Sequence, residues 1–143
     1  MSIQDEELVN WTEFEAVREQ LGAHFARILR YFSEDGIKSV EAIEQAMHSK
    51  ITVEMIVPAH TLKGEALQFG AHPLSAVAEK LEMAARHLVE IQQTPEELLP
   101  EVAKLRPIFD ATMAKLEKAT NPLVQRRDAM AESEASNQKF GRL

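Results

Sequence analysis

Along most of the chain apolar side chains recur three and four residues apart, with polar ones between them. That is the period of a helix with one buried face, not the alternation of a strand. The first stripe is Phe14, Val17 and Leu21. Thr12 followed by Glu15 fits a capping box, so a short helix is expected to start there and stop at Gly22. A second stripe runs through Phe25, Ile28 and Phe32, then Val40, Ile43 and Met47. Asp35-Gly36 in its middle has turn composition, but the apolar spacing keeps its phase across Gly36. One long helix from about 23 to 48 is therefore expected. Thr52 is placed to cap a third helix reaching Phe69, Gly70 ends it, and Pro73 fits the first position of a fourth. Leu74, Val77, Leu81, Ala84, Leu88 and Ile91 form the inner stripe of the fourth helix. Thr94-Pro95-Glu96-Glu97 opens a fifth, with Leu98, Val102, Leu105, Phe109, Met113 and Leu116 inward. Pro100 and Pro107 are expected to kink or interrupt it.

Short connections between amphipathic helices imply antiparallel neighbours. The expected fold is all-α: an antiparallel up-down four-helix bundle with an additional short N-terminal helix. The expected divisions are an N-terminal extension over 1–11, the bundle over 12–119 and a polar tail over 120–143. Asn121-Pro122 marks the start of the tail, which reads as a solvated terminus with Arg126 and Arg127 as candidate docking residues.

A hairpin turning near residue 71 places residues equidistant from the turn side by side. His60 is then level with Glu82, Lys63 with Glu79, and Arg86 lies a turn below His60. On the third helix Met55, Ala59, Leu62, Ala66 and Phe69 share the core side. His60, Lys63, Gly64 and Leu67 share the other, with Ile56 and Val57 beside them. Residues three and four apart meet on a helix surface. His60 therefore has a cation beside it and, at Gly64, no side chain over its approach. A helix-interior glycine costs roughly 1 kcal/mol against alanine, so open access is the expected return. Glu82 is placed to accept from Nδ1, which leaves Nε2 outward as a nucleophile. Lys63 would compensate the charge of a group added there, and Arg86 would pair with Glu82 or reach the site edge.

Composition narrows the chemistry. At 143 residues the chain is one domain with room for a core. A formal charge of −7 disfavours a nucleic-acid surface. The absence of cysteine removes disulfides, thiol nucleophiles and Cys-ligated zinc. The acidic start Met1-Ser2-Ile3-Gln4-Asp5-Glu6-Glu7 does not read as a signal peptide, and no apolar run approaches the roughly 18 residues that cross a bilayer. A cytoplasmic monomer is expected. There is no phosphate-binding glycine loop and no Asp cluster for Mg²⁺, so the chain is not expected to be an enzyme that takes phosphate from ATP. No cofactor and no metal are expected. A di-iron bundle would need Glu-x-x-His on two helices, and the sequence has none.

The run His60, Leu62, Lys63, Gly64, Ala66, Gln68, Phe69, Gly70 and Ala71 resembles the histidine phosphotransfer (HPt) family of two-component phosphorelays. The likeness extends more loosely over residues 14–118 in helix order and length. It implies a four-helix bundle with an extra N-terminal helix. It also implies that His60 takes a phosphoryl group from a receiver-domain aspartate or a histidine kinase and passes it to a receiver aspartate. The expected site is His60, Lys63, Gly64, Gln68, Glu82 and Arg86, with Ile56, Val57, Leu67 and Ala71 meeting the partner. Those partners are response-regulator receiver domains or a hybrid histidine kinase.

Three positions depart from the family's habit or strain the helix. Glu65 stands where serine or alanine is usual and would select among acidic receiver surfaces; Leu67 replaces a small residue; Pro58 would bend the helix near the site. The plain alternative for an isolated histidine is a surface or capping role, and His24, His48, His72 and His87 read that way, His72 as a turn residue. A second alternative is a bundle that docks partners through the same face without ever being phosphorylated.

Overall fold

The computed structural model describes residues 8–120. Among these, five α-helices follow one another without a strand: α1 Trp11–Leu21, α2 Phe25–Ser49, α3 Ile56–Gln68, α4 His72–Glu90 and α5 Leu99–Thr120. α2 packs on α3 and α5, and α4 packs on the same two, so α2 to α5 close a four-cornered bundle. α1 lies across one end of it. No helix among the described residues is long and apolar enough to cross a membrane. The expected tail, with Arg126 and Arg127, lies outside the described residues.

The helix ends differ from expectation in instructive ways. α1 is capped by Asn10, whose side chain accepts from Glu13 N at 3.1 Å, not by Thr12. Asn10 is fixed from outside the helix, because its own N–H donates to Gly70 O at 2.9 Å. Leu8 and Val9 are buried, so the packed body starts before the expected boundary at residue 12. Thr52 does not cap α3. It sits in a 3-10 turn, and its hydroxyl donates to Gln93 O at 2.8 Å, tying the start of α3 to the end of α4. Pro58 occupies the first turn of α3, where proline is tolerated. Pro73 is the second residue of α4, one later than expected. Pro100 falls in the first turn of α5, and the helix runs through Pro107 to Thr120 unbroken.

The long second helix does continue across Gly36. The glycine serves packing, not turning. A Cβ there would lie 2.5 Å from Phe109 Cε2 and 2.9 Å from Cζ, so α5 can press its ring against α2 only where no side chain stands. A bidentate Arg106–Glu44 pair at 2.7 and 3.0 Å adds a polar tie between these helices.

An aromatic chain joins α1 to the bundle. Phe14 meets Phe25 edge-on at 5.4 Å, Phe25 meets Phe69 at 5.8 Å, and Phe69 stacks on Phe32 at 5.2 Å. Offset and edge contacts of this kind each add about 0.5–1.5 kcal/mol beyond area burial. On α4 the buried line is Leu74, Ser75, Ala78, Leu81, Glu82, Ala85 and Leu88. Val77 and Ala84 are partly buried, and Ile91 is exposed beyond the helix end, so the inner face sits about one position round from the expected stripe.

Candidate functional site

α3 and α4 form the largest helix pair in the bundle, joined by the tight connection at Gly70 and Ala71. Gly70 has φ +74° and a Cβ there would meet Asn10 O at 2.8 Å, so both backbone angle and space call for glycine. The hairpin sets His60 of α3 beside Glu82 of α4. His60 Nδ1 lies 3.0 Å from Glu82 Oε2, and the imidazole is 61% exposed while the carboxylate is buried. Arg86, a turn along α4, donates to the same oxygen from Nε at 3.1 Å and from its terminal nitrogen at 2.9 Å. Lys63 Nζ lies 2.8 Å from the other oxygen, Oε1.

Lys63 therefore departs from expectation. It reaches Glu82, not Glu79, which is exposed, and its side chain is only 22% exposed. Helical side chains lean toward the helix N-terminus, so Lys63 slants back to the level of His60. Ser75, buried on α4, donates to Lys63 O at 3.1 Å and pins the register of the two helices at this point. The sequence signal for Ser75 was a hydroxyl in phase with Leu74, Ala78 and Leu81, which a purely apolar reading passes over.

Burial alone pushes the Glu82 carboxyl up. The bonds from Lys63, Arg86 and His60 outweigh that and hold it at about 2, against an ordinary 4.5. Glu82 is thus an anion at any neutral pH, which requires the proton shared with His60 to sit on Nδ1. In the neutral imidazole Nε2 is then the nitrogen that carries the free lone pair, on a ring that is mostly exposed. One anion with two cations also leaves the cluster a net positive charge beside an open nitrogen.

Gly64, four residues on from His60, lies on the same side of α3 and is exposed. A Cβ built on it meets nothing within 4 Å, so the glycine is not a packing requirement. Gly64→Ala is expected to fold and to gain up to about 1 kcal/mol from helix propensity. Gly64→Gln is expected to fold equally well, read by thermal unfolding, while its longer side chain covers the approach to His60. Loss of folding in either variant would contradict the access role.

The remaining expected residues divide. Val57 is 72% and Leu67 48% exposed, both open to a partner, while Ile56 is partly buried against the core. Ala71 is 0% exposed and is the residue before α4, so it offers no surface to a partner. Gln68 is exposed near the end of α3, two turns from His60, and lines a groove against α1 instead of joining the Glu82 cluster. His72 is not a turn residue. It is the first residue of α4, and its Nε2 meets Glu13 Oε2 of α1 at 2.5 Å.

Glu65 turns from the His60 surface toward α2. Its Oε1 is buried without a hydrogen-bond partner, and burial first, then the charge of Asp35 on α2, push the carboxyl from 4.5 up to about 7. It is therefore not placed to select among receiver surfaces. A carboxyl pKa raised by folding makes the protein less stable as pH rises from 4.5 through 7. Glu65→Gln mimics the protonated form. It is expected to be more stable than the parent at pH 8, by about 1–2 kcal/mol after allowing for solvent screening of a half-buried group. The gain should vanish at pH 4.5. Urea unfolding at both pH values checks this, and an equal gain at both would refute it.

A four-helix bundle with an extra N-terminal helix is what the sequence likeness implied. The family model for the Hpt domain matches residues 27–119, well over half of the chain. The chain belongs to the Hpt domain family. Hpt domains act in phosphorelays as histidine phosphotransfer modules without kinase machinery of their own. They interact with receiver domains and histidine kinases. The matched span contains α3 and α4 with the whole Glu82 cluster, whereas α1 lies before it. None of the curated proteins and none of the solved structures searched matches the chain.

Proposed function

We propose that this Hpt protein is a phosphorelay intermediate in which His60 is the phosphorylated residue. It accepts the group from a receiver-domain aspartate or a histidine kinase and returns it to a receiver aspartate. The observation that carries this is the Nδ1–Glu82 bond at 3.0 Å, which in the neutral imidazole leaves Nε2 as the nitrogen with the free lone pair on a 61% exposed ring.

In the forward step the Nε2 lone pair attacks phosphorus. The P–N bond forms as the P–O bond to the donor aspartate breaks, and the aspartate leaves as a carboxylate. The ring gains positive charge as the bond forms, and Glu82, already anionic, compensates it through the Nδ1 proton. Arg86, half exposed and sharing Oε2 with His60, has the freedom to turn toward the phosphoryl oxygens. Lys63, held on Oε1, keeps Glu82 in place. Return transfer reverses each step. No ATP enters, because the donor and acceptor chemistry belongs to the partner. The protein is proposed to do this as a cytoplasmic monomer, docking receivers through Val57, Leu67 and the exposed edge of Ile56.

The test is incubation with a receiver domain phosphorylated on its aspartate. Acid-labile, base-stable label on this chain, with a phosphorus resonance at the Nε2 position, is the expected result. Receiver binding without any label would instead favour a docking module that is never phosphorylated.

A further inference from the structure

We infer that Ser75 is a positioning residue for phosphotransfer: its hydroxyl and the Glu82 carboxylate hold Lys63 at two points and keep α3 at the height on α4 where His60 meets Glu82. The inference rests on the proposed role of His60. Ser75 and Glu82 are seven residues apart on α4, two turns or about 10 Å along one face. Both are buried, at 4% and 3% exposure, in a line of α4 that is otherwise apolar. Both reach Lys63. Ser75 Oγ donates to its carbonyl oxygen at 3.1 Å, and Glu82 Oε1 accepts from its Nζ at 2.8 Å.

Apolar contacts alone leave that height loosely set, because the hydrophobic effect is non-directional. Ala59 and Ala66 on α3 and Ala78 and Ala85 on α4 are fully buried, and their single methyl groups offer little to interlock. A hydrogen bond is steep in distance and angle by comparison. The link at Gly70 and Ala71 holds one end of the hairpin, but His60 lies ten residues before Gly70, about 15 Å along α3. A small tilt at the link therefore grows toward His60. Lys63 is three residues from His60, so the Ser75 bond restrains α3 next to the site.

Backbone satisfaction does not require this tie. The Lys63 carbonyl lies inside α3, where the helix supplies a donor four residues on, and the Ser75 N–H already bonds Ala71 O at 3.0 Å. Losing the hydroxyl orphans no buried backbone group. It frees α3 at Lys63, so that Lys63 and His60 shift together against Glu82. The contact that suffers is the 3.0 Å bond to Nδ1, which decides which ring nitrogen carries the proton.

The test uses the full chain. Ser75→Ala removes the hydroxyl with little change of shape and should fold, with Tm lower by about 5 °C. Nitrogen-15 shifts of the His60 ring in the unphosphorylated protein read the tautomer directly. In Ser75→Ala they should move toward the form protonated on Nε2. Transfer from a phosphorylated receiver should slow about fivefold, with receiver affinity unchanged. Ser75→Cys, near serine in size but a weak donor, is the second variant and should fall between parent and Ser75→Ala. Thr112→Val controls for lost stability alone. That buried hydroxyl bonds Ile108 O within α5 at 2.6 Å, and its loss should change neither reading. An unchanged tautomer in Ser75→Ala would overturn the proposal, and so would an equal slowing in Thr112→Val. If the parent takes no label, the His60 assignment fails, while the ring shifts still decide whether Ser75 positions the imidazole.

Discussion

His60→Gln is expected to abolish acid-labile phosphoryl incorporation while leaving the bundle and receiver binding intact. The imidazole makes one bond, to Glu82, and most of its surface faces solvent. Its removal takes no apolar contact from the core. A glutamine amide can still donate to Glu82 but offers no basic nitrogen to attack phosphorus. Incorporation should therefore fall to background with a stability change under about 1 kcal/mol. The other described histidines give no substitute. His72 is engaged with the exposed Glu13, His24 contacts Arg27, and none of His24, His48, His72 and His87 has a buried carboxylate bonded to its ring. Label that persists in His60→Gln would move the phosphorylated residue elsewhere, and mass mapping after labelling would find it.

Much of this was legible because two periodicities act together. Helical spacing fixed which face of each element was apolar, and the short link at Gly70–Pro73 fixed the α3–α4 register closely enough to set His60 beside Glu82. Gly36 shows where a turn signal yields to phase: the residue that looks like a break lets Phe109 approach. The misreadings come from long-range partners. Thr12 and Thr52 have cap-forming side chains, but Asn10 is held by Gly70 and Thr52 is drawn to Gln93, and no local pattern announces either bond. Lys63 was expected level with Glu79 because wheel geometry treats a side chain as radial, whereas this one slants a turn back and ion-pairs with Glu82. Ala71 matched the motif yet is enclosed by the hairpin it helps to make. Glu65 is the opposite case, a charged residue read as peripheral that lies half-buried against α2.

Glu82→Gln should damage both transfer and stability, and the two losses should respond differently to pH. The substitution keeps shape and mimics the protonated carboxyl. In the folded protein that carboxyl is held at about 2 against an ordinary 4.5, a depressed value. Its stabilisation is therefore fully present above pH 4.5 and is lost as pH falls toward 2. At about 1.4 kcal/mol per pH unit, the parent should be more stable than Glu82→Gln by about 2–3 kcal/mol at pH 7, with the gap closing toward pH 2. Transfer should fall for a separate reason. A neutral amide cannot compensate the charge that grows on the ring, and it can present its NH₂ to Nδ1, stabilising the tautomer with the proton on Nε2. Hydrogen bonds to charged groups contribute about 1.5–3 kcal/mol, so a ten- to hundredfold slower transfer is expected at pH 7. Lys63→Ala, which leaves the Nδ1 bond in place, should slow transfer less than Glu82→Gln. Equal rates for Glu82→Gln and the parent in rapid-quench transfer from a phosphorylated receiver would show that Glu82 braces the helices without orienting the nucleophile. A stability gap that stays constant from pH 7 to pH 3 would show that its charge is not what the fold depends on.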